Sequence, residues 1–168
     1  MTTKINLRKN LSLIATAAVI IITAVVGYYM ISLKKAPYAV ASFESFTYKW
    51  GVGDVLENSY SSVNGDYQYL NNRDSLIKTQ VKLRVNDIIF IHNKINELGF
   101  WSLPSSIGKP SLNTKALVYE LQFKYKEKSK KITIYSDFDK NPQLLDSAMQ
   151  IRNVLQQAID EAEARYNR

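Results

Sequence analysis

From Leu11 to Leu33 the chain reads LSLIATAAVIIITAVVGYYMISL, 23 consecutive residues without a charge. No other feature restricts the fold as strongly. As a helix rising about 1.5 Å per residue, such a run exceeds the roughly 30 Å hydrocarbon core of a bilayer. It also exceeds the roughly 7–15-residue apolar region of a cleaved signal peptide. The sequence therefore predicts a cytoplasmic tail over 1–10, a transmembrane helix over 11–33, a stalk over 34–41 and a folded domain over 42–168. Ala39-Val40-Ala41 offers a small-residue cleavage site, so a secreted inhibitor released after Ala41 is an alternative. Lys4, Arg8, Lys9 and the amino terminus precede the run, whereas Lys34 and Lys35 follow it. This small excess favours an N-terminus inside and a domain outside the cytoplasmic membrane. Without cysteine, a lipid-modified cysteine anchor is excluded.

The net charge of +7 invites a nucleic-acid reading. All 15 acids lie after residue 36, and five of the 22 bases lie at or before Lys35, which leaves 17 bases against 15 acids in the domain. The basicity belongs to the flanks of the apolar run, and a nucleic-acid partner is not expected, since such binders carry their excess charge on the folded domain.

Behind Pro37 the pattern turns to strands. Phe46, Tyr48 and Trp50 alternate with polar residues, and GVGD supplies a turn. Asn64-Gly65 predicts a two-residue hairpin that places Tyr60 opposite Tyr69 and Ser62 opposite Tyr67. SLIKTQVKL reads as an amphipathic strand with Ile77, Thr79, Val81 and Leu83 on one side. The period then changes: Asn86 and Asp87 cap a helix carrying Ile88, Ile91, Ile95 and Leu98, and Gly99 stops it. A polar loop over 105–114 follows. ALVYELQFKY and KITIYS form a second strand pair, and Asn141-Pro142 open a long helix with an apolar stripe from Leu144 to Ile159. Its polar end, DEAEARYNR, is expected to fray. The fold class is thus α+β, an antiparallel sheet with two helices on one face in the order ββββα-ββα.

WGVGD, NGDYQYL and ELGFWSLP, in that order behind one apolar run, resemble small uncharacterised bacterial envelope proteins of the Bacteroidota type, with a single anchor and a strand-strand-helix domain of unknown function. The resemblance covers roughly Phe43 to Pro104. It implies no activity, cofactor or site residue.

Candidate chemistry is sparse. His92 is the sole histidine, and neither G-x-S-x-G nor cysteine supplies a nucleophile for it. One imidazole without thiolates cannot complete the usual zinc shell, so no metal is expected. Asp137, Asp139 and Asn141 are spaced as at the start of a calcium loop, but its sixth and twelfth positions hold Pro142 and Ala148 instead of glycine and glutamate. They read instead as a turn and a helix cap. No phosphate-cradling or dinucleotide glycine pattern is present, so no cofactor is expected; Gly51 and Gly53 read as parts of a tight turn. Lys124, Lys126, Lys128, Lys130 and Lys131 surround a hairpin tip and read as a solvated turn. The remaining feature is aromatic. Tyr48, Tyr60, Tyr67, Tyr69 and Tyr135, with Trp50, either line an exposed face for protein or glycan contact or pack beneath the helices. After Gly99, Phe100 is expected to fold back into packing, while Trp101 is left as a contact residue.

The resulting expectation is a membrane-anchored, non-catalytic envelope domain, a binding module or accessory subunit. The candidate binding residues are Trp50, Tyr60, Tyr67, Tyr69 and Trp101, and the expected partners are a protein and, through 11–33, the membrane. The competing class is a small hydrolase using a carboxylate pair drawn from Glu44, Asp54, Asp66 and Asp74.

Overall fold

Side chains on a strand point alternately to its two sides, so a strand that alternates aromatic and polar residues must bury one face and wet the other. The computed structural model, which describes residues 11–34, 37–110 and 115–166, is built on that rule. Its strands are β1 (Phe43–Val52), β2 (Val55–Ser61), β3 (Asp66–Leu70), β4 (Leu76–Gln80), β5 (Ser106–Ile107), β6 (Leu117–Tyr125) and β7 (Ser129–Tyr135). They form one seven-stranded sheet in the order β4-β3-β2-β1-β6-β7-β5. All neighbours are antiparallel except β5 and β7. The helices are α1 (Leu11–Lys34), α2 (Val85–Glu97) and α3 (Pro142–Tyr166).

Phe46, Tyr48, Tyr60, Leu121, Phe123, Tyr125, Ile132 and Ile134 are fully buried from the sheet side. Ile91 and Ile95 of α2 and Ile151, Leu155 and Ile159 of α3 close over them. Each such side chain contributes about 1.5–3 kcal/mol relative to exposure. The opposite face is polar: Lys49 pairs with Glu120, Thr47 with Gln122 and Ser45 with Lys124 in the β1–β6 register. The expected α+β sheet with two covering helices is therefore present, but the sheet is mixed instead of antiparallel throughout, because β5, from a stretch read as loop, joins β7 in parallel. Residues 111–114 of that loop lie outside the described residues.

Several expectations need correction. Tyr60 pairs with Tyr67, not Tyr69, and Ser61 with Asp66. The chain spends four residues on this turn instead of two, closed by the Gly65 N–H donating to the Ser61 carbonyl at 2.9 Å. The slip is by two residues, so the tyrosines keep their face. Tyr135 pairs with Val118 and so lies on the opposite face from Tyr119 and Ile134. Asn86 is not a cap. The helix begins after Arg84, whose N–H donates to the Asp87 carboxylate at 2.8 Å, which places Asp87 three residues inside the first turn. Gly99, at φ 71°, does stop α2. Asn141 does cap α3, accepting the Leu144 N–H at 3.1 Å. The end expected to fray remains helical through Tyr166.

The chain divides into two compact units, Met1–Lys35 and Ala36–Arg168. Among the described residues no helix is long and apolar enough to cross a membrane. The expected transmembrane helix over 11–33 is corrected on that ground, and with it the reading as a single-pass signal anchor. Orientation and localisation, which rested on that span, lose its support. The tail 1–10 and Lys35 lie outside the described residues.

Candidate functional site

At the β1–β2 turn the sheet carries apolar side chains that stay open to solvent. Val52 pairs with Val55 on one side and Leu117 on the other. These three are 47%, 60% and 39% exposed. Trp50, two residues before Val52, is half-buried beside them. The gathering depends on a bulge: between the Trp50–Asn58 and Val52–Val55 pairs β2 places two residues, Leu56 and Glu57, against the single Gly51 of β1. Gly51 lies under that bulge, where a Cβ would meet the Val55 carbonyl oxygen at 1.9 Å. Asn58, opposite Trp50, fixes the strand ends by donating to the Trp50 carbonyl at 3.0 Å and accepting the Leu70 N–H at 2.8 Å.

Behind the patch the rings are held rigidly. Trp50 stacks on Tyr48 with centroids 4.3 Å apart and planes at 19°. The Arg152 Nε–H donates to the Tyr48 hydroxyl at 3.1 Å, and its guanidinium lies 5.0 Å over the Tyr119 ring. Burial pushes the Tyr48 phenol well above its ordinary value, and Arg152 only partly opposes this. Tyr67 lies 6.3 Å from Trp50 and 4.8 Å from Tyr69, and burial pushes its phenol up to about 12. Tyr69 is half-buried.

The structure thus brings together Trp50, Tyr67 and Tyr69, three of the five expected contact residues. Tyr60 is in the core, donating its hydroxyl to the Val81 carbonyl at 2.9 Å. Trp101 is elsewhere, half-buried, with Tyr38 at 4.7 Å and Tyr125 at 5.4 Å. Sequence reading missed Val52, Val55, Leu117 and Arg152. The two valines flank GD in the turn, and an aliphatic pair astride a turn was the available signal.

The other candidates are placed as follows. His92 is buried; its Nδ1 and the Tyr125 hydroxyl share a hydrogen bond of 2.7 Å, and burial lowers its pKa. Burial likewise raises the Tyr125 phenol, which keeps its proton. Near it, Asn96 Oδ1 and Trp101 Nε1 are buried without a hydrogen-bond partner among the described residues. Glu44 pairs with Lys124 at 2.8 Å at the start of β1, while Asp54 lies in the turn after its end. A ten-residue strand puts those two carboxylates about 30 Å apart. Asp66 opens β3 and accepts from Asn64 and Gln80, and Asp74 follows β3 in the next turn. Among the described residues no group of three His, Cys, Asp or Glu could hold a metal ion. The lysine run divides. Lys124 and Lys131 pair with Glu44 and Glu120 across the polar face, whereas Lys130 turns inward to the Trp101 and Leu103 carbonyls.

The fold and patch define a class, an α+β domain whose helix-covered sheet face ends in an open aromatic and aliphatic surface. No protein-family model matches the chain, and no curated protein matches it.

Proposed function

We propose that this chain is a non-catalytic binding module that holds a protein partner through Trp50, Val52, Val55 and Leu117. The observation that carries this reading is three exposed aliphatic side chains gathered beside a half-buried tryptophan at one end of the sheet. Aromatic anchors with small aliphatic neighbours are what the centre of a protein interface is made of, and an apolar patch left in water marks such sites. Trp50 is suited to that role because its stacking on Tyr48 fixes it before binding, so little entropy is lost on contact.

A photo-crosslinking residue at Val55, compared with one at Lys124 on the polar face, tests this. The expected outcome is one partner captured from Val55 and not from Lys124. That capture is expected to disappear in a Val52→Lys, Val55→Lys variant whose thermal unfolding matches the parent. Equal capture from both faces, or capture indifferent to the two lysines, would remove the reading.

A further inference from the structure

A separate depression lies between the residues following β5 and the start of α3. It has a volume of about 250 Å³, and Ile107, Gly108, Phe138 and Leu144 form its walls, with Lys109 and Lys140 on its lining. Ile107 is fully buried and Phe138 and Leu144 are half-buried, so the floor is continuous with the core, while both lysines are exposed. Neither lysine forms an ion pair among the described residues. Asp137 and Asp139, in the turn that carries Lys140, do not line the cleft.

Apolar walls beneath two unneutralised cations complement one chemistry, an anionic head on a short apolar body. The volume lies under the roughly 300 Å³ at which sites for drug-sized ligands begin, so the ligand must be small. Leu144 is in the first turn of α3, where the helix dipole adds positive potential. The Leu144 and Leu145 N–H groups are already taken by Asn141. The lysines, not the helix end, therefore supply the main attraction.

The geometry points to this cleft as a binding site for a small organic anion, a carboxylate with a short aliphatic chain, its head between Lys109 and Lys140 and its chain against Ile107, Phe138 and Leu144. Octanoate titrated into the full chain should bind saturably by calorimetry and shift the backbone amide resonance of Gly108. Octanamide, its neutral isostere, and inorganic phosphate, which lacks the apolar body, should each bind about tenfold more weakly or worse. Lys109→Glu combined with Lys140→Glu should weaken octanoate about tenfold, because each reversal turns an attraction into a repulsion. Both side chains are exposed, so thermal unfolding should be unchanged. Leu144→Trp, which fills the cleft, should abolish the Gly108 shift. The assignment is overturned if octanoate fails to saturate or leaves Gly108 unmoved. It is equally overturned if octanamide or phosphate binds as well, or if the double reversal binds like the parent.

Discussion

Phe100 and Trp101 are neighbours with different fates, and both fates are set by the residue before them. Gly99 at φ 71° turns the chain back on α2, which drives Phe100 into the core against Phe123 at 4.7 Å. Trp101, pointing the other way, packs between Tyr38 and Tyr125. Lys130 then pins the segment by donating to the Trp101 carbonyl at 2.8 Å and to the Leu103 carbonyl. Burial and the nearby Lys128 lower its pKa. Lys130→Met should cost about 1–3 kcal/mol in urea unfolding, since two carbonyls lose a charged donor. An unchanged midpoint would show that water replaces the lysine. The role of Phe100 was readable, because an aromatic after a glycine stop folds onto the last turn. The partner of Trp101 was not, since Tyr38 comes from a stretch read as stalk, and contacts so distant in sequence leave no local periodicity. Cleavage after Ala41 would also remove the Tyr38 ring from this cluster.

His92 carries a pH consequence at the same scale. Its folded pKa lies below the ordinary value near 6.5 because burial disfavours the imidazolium. The neutral ring is thus the form the fold prefers. Its stabilising contribution is complete above about pH 6.5 and is lost as the pH falls toward the lowered value. The stability difference between the parent and His92→Gln, measured by denaturation across this range, should shrink on acidification. A difference that stays constant with pH would assign the acid sensitivity to other groups.

Among the elements, the β1–β2 pair shows most clearly what a strand pattern leaves open. The alternation of Phe46, Tyr48 and Trp50 fixed which face of β1 is apolar, but not the bulge that sets Val55 beside Val52. That bulge depends on close approach at Gly51, which the sequence presented only as part of a turn. Gly51→Ala should therefore destabilise by about 2 kcal/mol or more, since the new methyl meets backbone at 1.9 Å. Gly99→Ala meets nothing within 4 Å, so only left-handed strain of about 1 kcal/mol remains. Urea titrations of the two variants should rank in that order, and the reverse ranking would refute the bulge. The hairpin register was misjudged for a related reason. Asn64-Gly65 signals a turn, but the number of residues the turn uses is decided by how β2 and β3 align under α3. Both registers keep the tyrosines on one face, so burial did not distinguish them in the sequence.

At the scale of the whole domain, the tyrosine-rich face became the interior. Of the six aromatic side chains set out for it, Tyr48, Tyr60 and Tyr67 are buried, Trp50 and Tyr69 remain at its rim, and Tyr135 belongs to the other side. Burial raises the phenols of Tyr48, Tyr60, Tyr67 and Tyr125, the first three at the centre of that face. For these groups the protonated form is favoured by folding, so their contribution is present below about pH 10 and is lost as the pH rises beyond it. Alkaline titration should show the exposed tyrosines ionising first, and the buried set only together with loss of far-ultraviolet helix signal. Early ionisation of all eleven with the fold intact would contradict the packed core.

Alternation of period two, the change to a three-and-four spacing and the residues at helix ends determined every strand but β5, both covering helices and their order. Those signals are local, because backbone geometry dictates which neighbours along the chain share a face. Tertiary structure alone decided which apolar face the helices could cover and where their cover stopped. The sheet extends past α2 and α3 at the β1–β2 turn, and that shortfall, invisible in any stretch of sequence, leaves Val52, Val55 and Leu117 in water beside Trp50.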